Sequence, residues 1–207
     1  MDYFGISLFL QAIYLSFGID NVIITNVMLV FASSLATGYV VYKFKDELKS
    51  KFEDFKKNIK TYSKKSFPNW GLGFVCMFIA NLILVSLLNG LAPNEEANRS
   101  MMDSLFFFTV IYSILLAPIA EELLFRSNFK DLFRNKKMFI FCTAFLFGGM
   151  HVIGQTESLV DFLYIVPYAC LGYAFSKTYV ETDNIYSCIM IHMFHNLLSV
   201  LIIVLNI

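Results

Sequence analysis

Between Leu105 and Ala120 the chain carries no Asp, Glu, Lys, Arg or His, and the next two residues are Glu121 and Glu122. Continued through Leu123, Leu124 and Phe125, that run is long enough to cross a bilayer as a helix, for which about 20 residues suffice. An ionisable group at the centre of such a helix costs about 2.5–3.5 kcal/mol on insertion scales and more in simulations, so it faces a protein interior or a cavity. Glu121, Glu122 and Arg126 are therefore candidates for a functional site inside a membrane.

Helical spacing sorts these three charges. Glu122 and Arg126 are four residues apart on one face, with the acid on the N-terminal side, the better order for an ion pair. Glu121 points about 100° away around the helix and needs a different partner. Pro118 lacks a backbone donor and frees the carbonyl of Ile114, so a kink is expected one turn before the carboxylates.

The rest of the chain extends this reading to a polytopic, all-α transmembrane bundle. Hydrophobic side chains make up 57% and charged ones 15% of the 207 residues, with mean hydropathy +0.64, far from the profile of a soluble domain. Spans are expected over Val22–Tyr42, Trp70–Leu91, Asp103–Phe125, Met138–His151, Leu159–Phe175 and Ile185–Asn206, with Pro167 as a second kink site. Tyr3–Phe17 is a seventh span or an interfacial helix, without the basic n-region or cleavage site of a removable signal peptide. Residues 43–67 are lysine-rich, which places them in the cytoplasm under the positive-inside rule. In this segment Phe44, Leu48, Phe52 and Phe55 recur at three- and four-residue steps, as in an amphipathic helix on the anionic inner leaflet. Cys76, Cys142, Cys170 and Cys188 lie in apolar stretches without CxxC spacing and read as packing residues.

Only three histidines occur, His151, His192 and His195, each in or beside an apolar span downstream of the Glu pair. Gly148-Gly149 before His151 lets a neighbouring backbone approach closely. His192 and Asn196 share a helix face, so the amide can orient the imidazole or share a ligand with it. Counted at about 1.5 Å per residue from the flanking polar residues, Glu121 and His192 lie about 14 and 12 Å deep, but His151 about 21 Å. The three meet only if the His151 helix tilts or begins deeper. A carboxylate and two imidazoles around a water are a hydrolytic set, in which the rings position the water, stabilise an oxyanion or hold a metal.

The three signatures Glu121-Glu122-Leu123-Leu124-Phe125-Arg126, Phe147-Gly148-Gly149-Met150-His151 and His192-Met193-Phe194-His195-Asn196 resemble the EExxxR, FxxxH and HxxxN patterns of the CAAX protease and bacteriocin-processing (Abi) family. That family includes type II CAAX prenyl endopeptidases and bacteriocin self-immunity proteins. The resemblance covers about residues 101–206 and divides the chain into N-terminal spans, 1–100, and a catalytic core, 101–207. It implies an intramembrane endopeptidase of a bacterial cell membrane, acting on a peptide or protein substrate. Glu121 would be the base that activates water, with His151 and His192 as its partners and Glu122, Arg126 and Asn196 in support. The cofactor is either none or a divalent metal such as zinc on Glu121, His151 and His192; in the latter case Glu121 is a ligand and not the base. His195 falls outside the pattern.

Two readings from other classes compete. One is a non-catalytic immunity or scaffold protein that binds a peptide in the membrane; the other is a proton-coupled transporter, against which the missing internal repeat counts. No GxGxxG, P-loop or HExxH motif is present, and no basic patch with interleaved aromatics, so nucleotide and nucleic-acid roles have no support.

Overall fold

A computed structural model describes residues 21–154, 156 and 158–205. The Tyr3–Phe17 stretch lies outside them. Among the described residues every regular element is helical, and the chain is an integral membrane protein built as a helical bundle. Helix α1 spans Val22–Lys43, α2 Lys45–Leu88, α3 Pro93–Ser104, α4 Phe106–Ile111, α5 Ala117–Glu122, α6 Lys136–Val152, α7 Ile165–Thr182 and α8 Ile185–Leu205. Two π-helical turns, Tyr112–Leu116 and Leu123–Ser127, flank α5 and join α4 to it in one continuous rod.

Five of these segments are long and apolar enough to cross a membrane: α1, α2, the rod Phe106–Leu132, Leu159–Thr182 and α8. The expected span ending at His151 is α6, whose 17 residues put it at the short end of the spanning range of about 17–25. The long helices expose apolar stripes, such as Ile23, Val27, Phe31 and Leu35 on α1 and Val75, Phe78, Ile79, Leu82 and Ile83 on α2. In lipid such stripes are the solvated face.

The lysine-rich segment departs from the surface-lying helix expected for it. It forms the first half of α2 and runs through Pro68 into the membrane span without a break. Most of its apolar stripe faces the bundle: Phe44 and Leu48 pack on the core around Ala36, Val40, Leu123 and Ile189, and Phe55 and the more exposed Phe52 lie 5.6 and 5.4 Å from the Tyr186 ring. Polar contacts hold it there. Glu47 takes Lys130 at 2.9 Å and Ser127 at 3.1 Å, Lys51 pairs with Asp183 at 2.7 Å, and Asp54 accepts from Asn184 and Tyr62 at 2.9 and 2.6 Å. The periodicity is that of an amphipathic helix; the partner of its apolar face is protein.

Helix α7 is the packing centre, lying along both α6 and α2. Glycines set that closeness. A Cβ on Gly148 would stand 2.6 Å from the Ile165 carbonyl oxygen and 2.9 Å from the Ala169 amide, and one on Gly73 2.9 Å from the Cys170 carbonyl oxygen. Gly149 meets nothing closer than 3.6 Å, so only the first glycine of the pair is a close-approach residue. Gly148→Ala should therefore cost about 1–3 kcal/mol, because backbone cannot move aside. Gly149→Ala should be neutral or stabilising, by up to about 1 kcal/mol of helix propensity. Thermal unfolding of the two variants in one detergent reads the difference, and equal midpoints would contradict it.

Candidate active site

The site begins with the backbone of the rod. The first π turn, Tyr112–Leu116, in which the Ala117 amide reaches back to the Tyr112 carbonyl, lies just before Pro118, where the proline was expected to produce a kink. The Ser113 carbonyl of that turn accepts from the Asn196 side chain on α8 at 2.7 Å. Asn196 thus ties the Glu-bearing rod to the His-bearing helix and does not orient the His192 ring. A second polar residue acts similarly: Asn26 of α1 accepts the Phe108 amide at 2.8 Å, capping α4, whose own N-cap Leu105 offers no side-chain acceptor.

Glu122 and Arg126 are fully buried and face each other at 3.2 Å between Oε2 and Nε. Arg126 also donates to the Gly172 carbonyl at 3.1 Å and lies over the rings of Phe147 and Phe175, 5.1 and 5.7 Å from their centroids, a cation–π cage for the guanidinium. The other Glu122 oxygen reaches His192 Nδ1 at 2.8 Å. The i,i+4 pair expected from spacing is present, and the carboxylate has a second duty that spacing within one helix could not reveal.

Glu121 points elsewhere, as its helical angle requires. Its Oε2 lies 4.0 Å from His151 Nε2 and 3.9 Å from His192 Nε2, and it has no hydrogen-bond partner on the protein among the described residues. The carboxylate and both rings therefore converge. The depth offset estimated for His151 is absorbed because α6 starts after a 3-10 turn, Lys130–Leu132, and the extended Phe133, so Lys130 and Lys137 need not mark the same level.

The partners of the rings settle their tautomers. His151 Nδ1 is 2.8 Å from the Phe147 carbonyl, which can only accept, so Nδ1 carries the hydrogen in the neutral ring. The same holds for His192 against the Glu122 carboxylate. Both Nε2 atoms then turn lone pairs toward Glu121. Aromatic walls hold the rings in place: His151 stacks on Tyr168 at 4.9 Å and His192 on Phe175 at 4.6 Å. Tyr168 is in turn held by Asn94 at 3.2 Å. His195 stands apart from this set and accepts the Trp70 indole N–H at 3.3 Å, a partly buried contact between α2 and α8.

Glu121, His151 and His192 have the chemistry of a divalent-metal ligand set, with each ring braced from behind as ligating imidazoles usually are. Their spacing is wider than a metal requires. Bonds of about 2.0–2.1 Å in a tetrahedral centre separate donors by about 3.3–3.5 Å, against the 4.0 and 3.9 Å here. No group of three or more His, Cys, Asp or Glu among the described residues is arranged to hold a metal ion. A water hydrogen bonded to both partners at about 2.8 Å lets them stand about 4–4.6 Å apart, which accommodates the observed distances.

Residues 103–198 match the family described as type II CAAX prenyl endopeptidase Rce1-like. Among curated relatives, an uncharacterized protein of Mycoplasma capricolum is 24% identical over 97% of this chain and 66% of its own length. UPF0177 protein YvdC of Lactococcus lactis is 31% identical over 63% of this chain and 51% of its own. UPF0177 protein YajF of the same organism is 40% identical over 30% of this chain and 31% of its own. The chain therefore spans about two thirds of the Mycoplasma relative and about half or less of these Lactococcus ones. No solved structure matches it.

Proposed function

Since residues 103–198 match the Rce1-like family of type II CAAX prenyl endopeptidases, we propose that this protein is an intramembrane endopeptidase in which Glu121 activates the attacking water. The observation that carries the reading is a carboxylate oxygen without a protein hydrogen-bond partner, 4.0 and 3.9 Å from two imidazole Nε2 atoms, inside the helical bundle.

A water at this point gives one hydrogen bond to Glu121 and one to a ring lone pair, which turns an oxygen lone pair toward the scissile carbonyl. As the oxygen attacks the carbonyl carbon, its proton passes to Glu121 and then to the leaving amine. Glu122 holds His192 in the tautomer this needs, and Arg126 holds Glu122. The substrate is a peptide or protein segment that enters from the bilayer or from the lysine-rich end, and that end is cytoplasmic under the positive-inside rule. Prenylation of the substrate is no part of the proposal.

The test is cleavage by purified protein in lipid nanodiscs of a panel of membrane-associated peptides, run in ¹⁸O-labelled water. Hydrolysis places one labelled oxygen on each new carboxylate, read by mass spectrometry, and the rate persists in strong chelator. Stoichiometric metal whose removal abolishes cleavage would make Glu121 a ligand and overturn its assignment as base. Intact peptides across the panel would favour the non-catalytic immunity scaffold.

A further inference from the structure

A second cavity, separate from the Glu–His site, opens at the lysine-rich end of the bundle. It has a volume of about 260 Å³ and is lined by Lys130, Arg134, Lys136, Phe133, Phe139, Tyr179, Val180 and Asp183. The floor is aromatic: Phe139 and Tyr179 are buried, with Tyr179 and Phe133 5.8 and 6.3 Å from the Phe139 ring. The rim is cationic. Two of its charges are already engaged, Lys130 with Glu47 at 2.9 Å and Asp183 with Lys51 at 2.7 Å. Arg134 and Lys136 are exposed, and neither is within ion-pair distance of any carboxylate among the described residues. The α6 amides nearby are capped by Asn135 Oδ1, which accepts from Lys137 and Met138, so the unpaired charge is that of the side chains.

We infer that this cavity binds the phosphate-bearing headgroup of an anionic membrane lipid, with Arg134 and Lys136 as its principal cations. Three observations choose the lipid over a free phosphate. The rim lies just before the apolar run of α6 begins at Met138, the level at which headgroups sit. The aromatic floor offers contact to a glycerol or acyl root that an inorganic ion lacks. The volume is just below the roughly 300 Å³ at which small-molecule sites begin, enough for a headgroup. Basic pockets between transmembrane helices at the cytoplasmic face take such headgroups on the same physical grounds. This binding is independent of the proposed protease chemistry.

The experiment is native mass spectrometry of the full chain in detergent, titrated with short-chain phosphatidylglycerol, short-chain phosphatidylcholine or inorganic phosphate. Each cation near an anionic lipid is worth about 1 kcal/mol, or about fivefold in affinity. Phosphatidylglycerol should therefore bind the natural chain about 25-fold more tightly than it binds Arg134→Gln/Lys136→Gln. It should also outcompete phosphatidylcholine. The control Lys57→Gln/Lys60→Gln removes the same charge from exposed positions of α2 and should change affinity by less than about twofold. Equal losses in the two double variants would reduce the effect to general attraction and overturn the proposal. Inorganic phosphate competing at the lipid's own concentration would overturn it in favour of a free-anion site.

Discussion

Glu121→Gln should lower peptide hydrolysis by about 10²–10⁴-fold, the contribution of a positioned general base. The amide keeps the size of the side chain and leaves His192 braced by Glu122 and His151 by the Phe147 carbonyl, so the fold should be retained. The variant also separates the classes. A binding or immunity scaffold keeps its phenotype when the carboxylate becomes an amide, and a proton-coupled transporter loses uptake driven by a proton gradient. Rates of natural and variant protein on one cleaved peptide, with thermal unfolding of each as a folding control, provide the readout. Undiminished cleavage by Glu121→Gln would refute the role given to this residue.

Arg126→Met should be the most destabilising single change in the site, at about 3–5 kcal/mol, because it leaves the Glu122 carboxylate charged and unpaired in a fully buried position. Methionine fills part of the same volume between Phe147 and Phe175, so the loss reads the charge more than a cavity. Adding Glu122→Gln removes the stranded charge and should recover much of the stability, since a buried pair replaced as a unit costs little. The double variant should still cleave poorly, because His192 Nδ1 then faces an amide in place of a carboxylate. A single Arg126→Met variant that melts with the natural protein would show that the pair contributes nothing to the fold.

How much of this was legible before any coordinates differs from residue to residue. The all-helical membrane bundle follows from hydrophobic runs, since the length of an apolar segment and the cost of charge within it are local properties. The pairing of Glu122 with Arg126 and the divergence of Glu121 follow from the helical period alone. Glu122 bonding to His192, the Asn196 bridge to Ser113 and the Trp70–His195 contact join residues 70 or more positions apart, and no spacing rule reports on such pairs. The lysine-rich segment shows the same boundary. Its amphipathic period was readable, but whether lipid or protein covers an apolar stripe is decided by the neighbouring helices.

The sequence by itself determined that this chain crosses a membrane as helices, which of its side chains are too costly to leave in lipid, and which of those share a helix face. Only the tertiary structure decided that His151 and His192 each stand within about 4 Å of Glu121 and that Gly148 alone of its pair admits a neighbouring backbone. It also decided the cationic, aromatic-floored cavity at the lysine-rich end. The physical reason is that periodicity sets directions around one helix, whereas the relative height, tilt and approach of several helices are set by how their side chains pack together.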